Sequence, residues 1–271
     1  MVEDRSVVTA LITGATAGIG NAFARRLAAD GHALVLVARD RARLDDVAAT
    51  LSAAHGVPVE VISADLADPD ALAIVAERLR DPERPVDLLV NNAGFGREGT
   101  FVNGDLDYEL RLLDVLTRAV LVLTHAAVPG MVARGRGGVI TVSSVAAFLP
   151  GSTYSAAKAW AEIFTTSLAI ELEGTGVTAT ALCPGLVRTE FHRRAEIDMT
   201  HLPAWVWLDA DRVVRECLAD VRRGRMVSVP SVRYRAGVAL VRRLPFRAVE
   251  ALGRRASRRR SGGRSGGRSD G

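Results

Sequence analysis

Tyr154 and Lys158 stand four residues apart, so on a helix they share one face, a turn from each other. A phenol has a pKa of about 10, and bringing it into service near neutrality costs roughly 4 kcal/mol. An ammonium about 4 Å away, in an effective dielectric near 20, supplies about 4 kcal/mol. One lysine is therefore enough, on magnitude, to tune one tyrosine. Of the 35 basic residues Lys158 is the sole lysine and the other 34 are arginine, a bias of codon usage that still singles this residue out. Arginine would be too bulky and fixed to tune a phenol while also binding a ribose. The competing reading is an ordinary amphipathic helix with a snorkelling lysine, and it is the weaker one behind the glycine loop described next. Ser143 and Ser144 close a strand-like run shortly before this pair.

Near the N-terminus an apolar strand runs into Thr13-Gly14-Ala15-Thr16-Ala17-Gly18-Ile19-Gly20 and then into a helix. Small residues there allow a tight turn, backbone approach to a pyrophosphate and close helix–strand packing. The opening helix offers free N–H groups and its positive dipole end to phosphates. A glycine triplet alone also suits a plain turn; at a first strand, before a helix, it points to a dinucleotide. The second strand ends in Ala38-Arg39-Asp40, where Arg39 presents a fork for a 2′-phosphate and a plane for adenine. Asp40 falls one position later and points away, so NADP(H) is favoured and NAD(H) is the alternative, with a merely solvated Arg39 the bland reading. The third strand ends at Asp65-Leu66, suited to the adenine amino group or else to capping the next helix. The fourth ends in Asn91-Asn92-Ala93-Gly94, small enough for backbone to approach a ribose, with Asn91 able to tie neighbouring strands.

These residues need a scaffold that brings strand ends together. Candidate strands cover 7–13, 33–38, 57–63, 86–91, 138–143, 177–183 and 225–229, and helical periodicity covers 21–30, 41–55, 70–80, 106–133 and 154–173. The alternation predicts βαβ units and an α/β fold with a doubly wound parallel sheet covered on both faces. One domain over 1–230 is expected, followed by a helical extension over 231–256 and a disordered Arg/Ser/Gly tail over 257–271. The segment 186–208 is too long for a turn and carries Phe191, Met199, Leu202, Trp205 and Trp207, as a loop covering a ligand does. With Trp160 it suggests a hydrophobic ketone or alcohol, though Trp205 and Trp207 could equally pack on the body or on a second subunit.

Taken together, the sequence resembles the short-chain dehydrogenase/reductase family over about residues 5–230. The resemblance runs through Thr13–Gly20, Asp65, Asn91–Gly94, Ser144, Tyr154-x-x-x-Lys158 and Cys183-Pro184-Gly185-Leu186-Val187-Arg188-Thr189. It implies a seven-stranded Rossmann sheet, hydride transfer between nicotinamide and a carbonyl or alcohol, and a homodimer or homotetramer. It also implies roles: Tyr154 as general acid in reduction, Lys158 lowering its pKa and holding the nicotinamide ribose, and Ser144 bonding the substrate oxygen. Thr13, Gly14, Thr16, Gly18, Ile19, Gly20, Arg39, Asp65, Leu66, Asn92, Ala93 and Gly94 become the expected cofactor contacts. Tyr154, Lys158, Pro184, Gly185, Val187 and Thr189 join them at the nicotinamide end. One position departs: where the family usually has an asparagine holding a proton-relay water, Asp114-Val115-Leu116-Thr117 places Leu116. Thr117 could compensate, the helix could be shifted in register, or turnover could be slow. Ser144 lies ten residues before Tyr154, a shorter spacing than is common, so a short loop over the carbonyl is expected.

Composition bounds the rest. Hydrophobic residues make up 48% of the 271 and charged residues 24%, which allows a sizeable core and excludes wholesale disorder. No apolar run is expected to reach the roughly 18 residues of a membrane span, and the acidic start lacks a signal region, so a cytoplasmic location is expected. Cys183 and Cys217 form no disulfide framework, and the five histidines lack metal-ligand spacing. The net charge of +4 hides 15 arginines against two acids from Arg222 onward, on a body of 20 basic and 29 acidic residues. With Phe246, Val249 and Leu252 spaced by three, this end reads as a terminal helix packed on the protein, or as a helix on an anionic membrane. Nucleic acid is not expected. The resulting expectation is an NADP(H)-dependent oxidoreductase; the alternatives are a dinucleotide-binding protein with weak catalysis and a membrane-associated lipid reductase.

Overall fold

The computed structural model describes residues 8–97, 101–190, 202–245, 247–251 and 253–254. Phe191, Met199, Phe246, Leu252 and the 257–271 string lie outside them. Seven strands form one sheet: β1 Thr9–Thr13, β2 Ala33–Ala38, β3 Val59–Ser63, β4 Leu88–Asn91, β5 Gly137–Val142, β6 Val177–Leu182 and β7 Val227–Ser228. Their order is β3-β2-β1-β4-β5-β6-β7. Every neighbouring pair is parallel.

Both faces are covered because the central strands, β1 and β2 above all, are apolar at odd and even positions alike. Ile12, Leu34, Leu36, Val90 and Ile140 point to one side. There they meet Phe23 and Leu27 of α1 (Gly18–Ala29), Leu44 and Leu51 of α2 (Arg41–His55), and Val213 and Cys217 of α7 (Ala210–Arg222). Leu11, Val35, Val37, Leu89 and Val139 point to the other. They pack on Val75 and Leu79 of α3 (Pro69–Arg80), Leu123 and Met131 of α5 (Ala119–Ala133), and Ala169 of α6 (Thr153–Glu171). The chain winds outward from β1 to β3, then crosses back to β4. Loops after β1 and β4 therefore diverge and open a crevice at the strands' carboxyl ends.

The differences from the expected elements have local causes. β3 begins after Pro58, which has no N–H to give the ladder although its carbonyl accepts from Leu34. β4 begins after Asp87, whose backbone still bonds to Thr9 and Gly138 and whose carboxylate also accepts the Thr9 N–H. β7 is only two residues long, and Pro230 follows closely. The long helical pattern is broken into α4 (Leu106–Leu113), a π-helical segment Asp114–Arg118 in which the Ala119 N–H reaches back to the Asp114 carbonyl, and α5. Leu106–Ala133 as a whole is long and apolar enough to cross a membrane by length and composition, which corrects the expectation that no segment is. Half of its apolar window is buried, against α3 and the sheet, so its apolarity is that of a core helix.

Beyond β7, α8 (Val232–Arg243) lies against the body through Val238, which shares a cluster with Ala181, Cys183 and Val229. The base of the 186–208 segment is closed by a parallel bridge between Val187 and Leu208. The Leu208 N–H donates to Leu186 O at 2.7 Å and the Arg188 N–H to Leu208 O at 2.9 Å.

Candidate active site

Tyr154 sits in the first turn of α6, which Ser152 starts by accepting the Ser155 N–H. One turn on, Lys158 is 6% exposed and donates from Nζ to the Val142 carbonyl at 2.6 Å. In return Ser143 Oγ donates to the Lys158 carbonyl at 2.6 Å, so the end of β5 and the start of α6 are stitched both ways. Lys158 Nζ lies 5.7 Å from the centre of the Tyr154 ring. Burial lowers the lysine pKa to about 8, so this ammonium is held at a cost. Burial also pushes the neighbouring Cys183 thiol up to about 12, which leaves it neutral.

Ser144 follows directly. Its Oγ accepts the Ala146 N–H at 3.1 Å and caps a short 3-10 turn, Val145–Phe148. That contact fixes the oxygen and uses none of the hydroxyl's donor capacity. The turn is moored to the next strand's exit, the Val145 N–H donating to Pro184 O at 3.0 Å. Gly94 completes the meeting point. A Cβ there would lie 2.8 Å from Leu116 Cδ2 and 3.6 Å from Lys158 Nζ. Leu116 is 1% exposed and packs with Leu112, Ala157, Phe95, Tyr108 and Tyr154. Leu116 lies inside the π-helical segment Asp114–Arg118, where the helix gains a residue and its register shifts, and the Thr117 hydroxyl donates to the Leu113 carbonyl. The wall beside the tyrosine is apolar, with Phe95 and Tyr108 edge-to-face at 5.6 Å and the Arg97 guanidinium 4.1 Å over the Tyr108 ring. Trp160 is turned to a different task and stacks on Phe164 at 4.8 Å.

The glycine loop has the shape of a phosphate cradle. A Cβ on Gly20 would stand 2.3 Å from Gly14 O, so helix and strand meet there without a side chain between them. Gly14 and Gly18 hold φ of +66° and +57°, where other residues strain. Gly18 faces the Thr189 methyl, 3.1 Å from where its Cβ would be, which brings the exit of β6 over the loop. The start of α1 has no side-chain cap, as at α5 and α8, whereas α2, α3, α4, α6 and α7 are each capped by an Asp or Ser. Bare N–H groups on a glycine turn at a sheet's switch point fit a pyrophosphate. Thr16 and Ile19 are half-buried within this loop.

Several residues expected at the cofactor site have side chains engaged by other residues of the chain. Thr13 is buried, and its Oγ1 accepts the N–H groups of Asn92 and Ala93, each at 2.9 Å. Asn92 Nδ2 donates to Thr13 O at 2.8 Å and to Gly14 O at 3.2 Å. The pair locks the two diverging loops together. Asn91 does not tie strands as expected; its Nδ2 donates to Thr124 of α5 at 3.0 Å. Leu66 and Val187 are buried. Asp65 does not cap α3, since Asp68 does; its carboxylate accepts the Ala67 N–H and pairs with Arg111. Arg39 is exposed and has no ion-pair partner among the described residues, while Asp40 is occupied as the cap of α2, accepting the Arg43 N–H. Gly185 is covered by Tyr234, whose ring would lie 2.1 Å from a Cβ there. Tyr234 and Arg111 are absent from the sequence reading: neither sits in a motif, and their partners are 48 and 46 residues away.

Comparison with known proteins agrees with this geometry. The short chain dehydrogenase family model matches residues 8–199. A short chain dehydrogenase of Pseudocercospora fijiensis is 38% identical over 187 residues, which is 67% of this chain and 60% of that protein, so the match spans less than two thirds of that relative's length. Among solved structures, a short-chain dehydrogenase from Sphingobium yanoikuyae in complex with NADPH is 37% identical with a TM-score of 0.80, over 89% of this chain and 97% of that one. The bulky-bulky ketone specific alcohol dehydrogenase from Comamonas testosteroni is 32% identical with a TM-score of 0.76, over 89% and 96%. A lysine buried beside a tyrosine, set across a crevice from an uncapped glycine turn, is thus found on a chain that matches the family model over residues 8–199 and superposes on these structures: the protein belongs to the short-chain dehydrogenase family.

Proposed function

We propose that the protein is an NADP(H)-dependent oxidoreductase that interconverts a hydrophobic carbonyl compound and its alcohol, with Tyr154 as general acid and base. The observation that carries this reading is the buried Lys158, held on the Val142 carbonyl within 5.7 Å of the Tyr154 ring. NADPH, when bound along the crevice, supplies the hydride. Tyr154 gives its proton to the carbonyl oxygen in reduction and withdraws it in oxidation. Lys158 stabilises the phenolate through its charge, and Ser144 donates a hydrogen bond to the same substrate oxygen. The apolar wall of Phe95, Tyr108, Leu112 and Leu116 excludes water and supports a hydrophobic substrate. The solved relatives support the choice of cofactor and of a bulky ketone, since one is an NADPH complex and another is specific for bulky-bulky ketones.

The test is to follow nicotinamide absorbance across hydrophobic aldehydes, ketones and alcohols with both cofactors. NADPH-dependent turnover that Tyr154→Phe abolishes supports the assignment; turnover that survives the substitution overturns it. A second reading, dinucleotide binding with negligible turnover, is favoured by Leu116, which fills the space against Gly94 and Lys158 where a water could otherwise sit. Tight NADPH binding with no turnover on any compound would select it.

Cofactor choice makes a separate prediction. With Asp40 occupied as a helix cap, the exposed Arg39 is the group able to grip a 2′-phosphate. Charge-assisted bonds of this kind contribute about 1.5–3 kcal/mol each. Arg39→Asp should therefore shift the ratio of kcat/KM values for NADPH and NADH toward NADH by about ten- to a hundredfold. An unchanged ratio contradicts the assignment of Arg39.

A further inference from the structure

The chain contributes a second tyrosine to this end of the crevice from a direction the family pattern does not indicate. Tyr234, on α8, accepts the Leu186 N–H at 3.1 Å and donates to the Val206 carbonyl at 2.8 Å. One hydroxyl thus joins the two ends of the 186–208 segment, beside the backbone bridge of Val187 and Leu208. The face of the same ring occupies the place of a side chain at Gly185, where a Cβ would stand 2.1 Å from Cζ. Gly185 is a glycine because an aromatic ring lies flat against its backbone.

The helix that delivers this ring is firmly based. Arg242 pairs with the buried Glu162 of α6 and lies 4.8 Å over the Phe148 ring, in the turn that follows Ser144. The Ser231 N–H, at the head of α8, donates to Glu216 of α7 at 2.8 Å. Arg233 reaches the Trp205 carbonyl at 2.9 Å and holds its guanidinium 5.7 Å over that indole. α8 therefore touches the three parts of the site at once: the helix of Tyr154 and Lys158, the turn after Ser144, and the segment after β6.

We infer that Tyr234 is a positioning residue for the nicotinamide end of the cofactor, setting the height of the Pro184–Val187 backbone through one ring contact and one bridging hydroxyl. This rests on the proposed reading of the crevice as a nicotinamide dinucleotide site. A phenylalanine at 234 keeps the ring and removes both hydrogen bonds, leaving the Leu186 N–H and Val206 carbonyl without this partner.

The experiment compares two probes, NADPH and 2′-phospho-ADP-ribose, which lacks the nicotinamide but keeps the adenine, both riboses and all the phosphates. In Tyr234→Phe the Kd for NADPH should rise about tenfold and that for 2′-phospho-ADP-ribose should change by less than about twofold. Equal weakening of both probes, or of neither, overturns the inference. Should Tyr234→Phe fail to fold, Gly185→Ala approaches the same contact from the other side and should give the same split between probes. Failure of both variants to fold makes Tyr234 a folding residue and overturns the inference as well. Wild-type protein that binds neither probe overturns the cofactor reading and this inference with it, whereas wild-type binding of both without the split in the variants overturns the inference alone.

Discussion

Tyr154→Phe is expected to lower turnover by about a thousandfold while leaving NADPH affinity within about twofold of the wild type. Positioned acid–base groups contribute about a hundred- to ten-thousandfold, and the phenol is the one group proposed to carry the proton. The substitution is a clean one. The Tyr154 ring packs with Leu112, Leu116 and Ala157, and phenylalanine keeps that contact while losing only the hydroxyl. The fold and cofactor site should therefore persist, and the loss should fall on kcat. Rates measured at saturating NADPH, with binding followed separately, check this. Retention of more than a tenth of the activity would give the proton to another group.

The second large effect concerns Lys158, and it separates chemistry from stability. Its charge lies 5.7 Å from the centre of the phenol ring, an interaction of about 3 kcal/mol at an effective dielectric near 20. Lys158→Met should accordingly cut turnover by about a hundred- to a thousandfold. Stability should respond in the opposite sense or barely at all. Burial lowers the lysine pKa from 10.5 to about 8, so the unfolded chain binds more protons than the folded one between these values. Wild-type stability should then rise as pH climbs from about 8 toward 10.5, and below about 8 the full cost of the buried charge is present. That cost is about 3 kcal/mol, offset in part by the hydrogen bond to Val142. The methionine variant carries no such cost, so its advantage over the wild type should be greatest at pH 7 and shrink by pH 10.5. Denaturant titrations of both proteins at the two pH values test the sign. A gap that widens with pH would show that the lysine is not held as a buried ammonium.

The chain's local patterns made a large part of this visible. Val35 and Leu36, or Leu89 and Val90, are adjacent and both apolar, which tells of a strand buried on two faces and hence of a parallel sheet. The four-residue interval from Tyr154 to Lys158 is intrinsic to one helix and needs no tertiary knowledge. Thr13, Asn92 and Asp65 were legible as members of the site but not in their roles. Thr13 and Asn92 lock two loops from strands that are 79 residues apart in sequence, and Asp65 is engaged by Arg111 of a helix far along the chain. The π-helical turn at Leu116 was invisible for a different reason: apolar periodicity runs through Asp114–Arg118 unbroken, and only the reach of the Ala119 N–H to the Asp114 carbonyl reveals it. Tyr234 stands among arginines in a segment without a motif, and its meaning comes from a ring against Gly185, 49 positions earlier.

The bare start of α1 carries a consequence for the protein's life in a cell. A helix that begins on Ala17 without a side-chain acceptor leaves its first N–H groups to water or to an arriving anion. On the proposed reading that anion is the dinucleotide, and a ligand at a hundred times its Kd adds about 2.7 kcal/mol to the stability of its receptor. Starved of nucleotide, the same chain would spend roughly a hundredfold more of its time open to proteases. Its abundance would then follow the nucleotide pool by mass action.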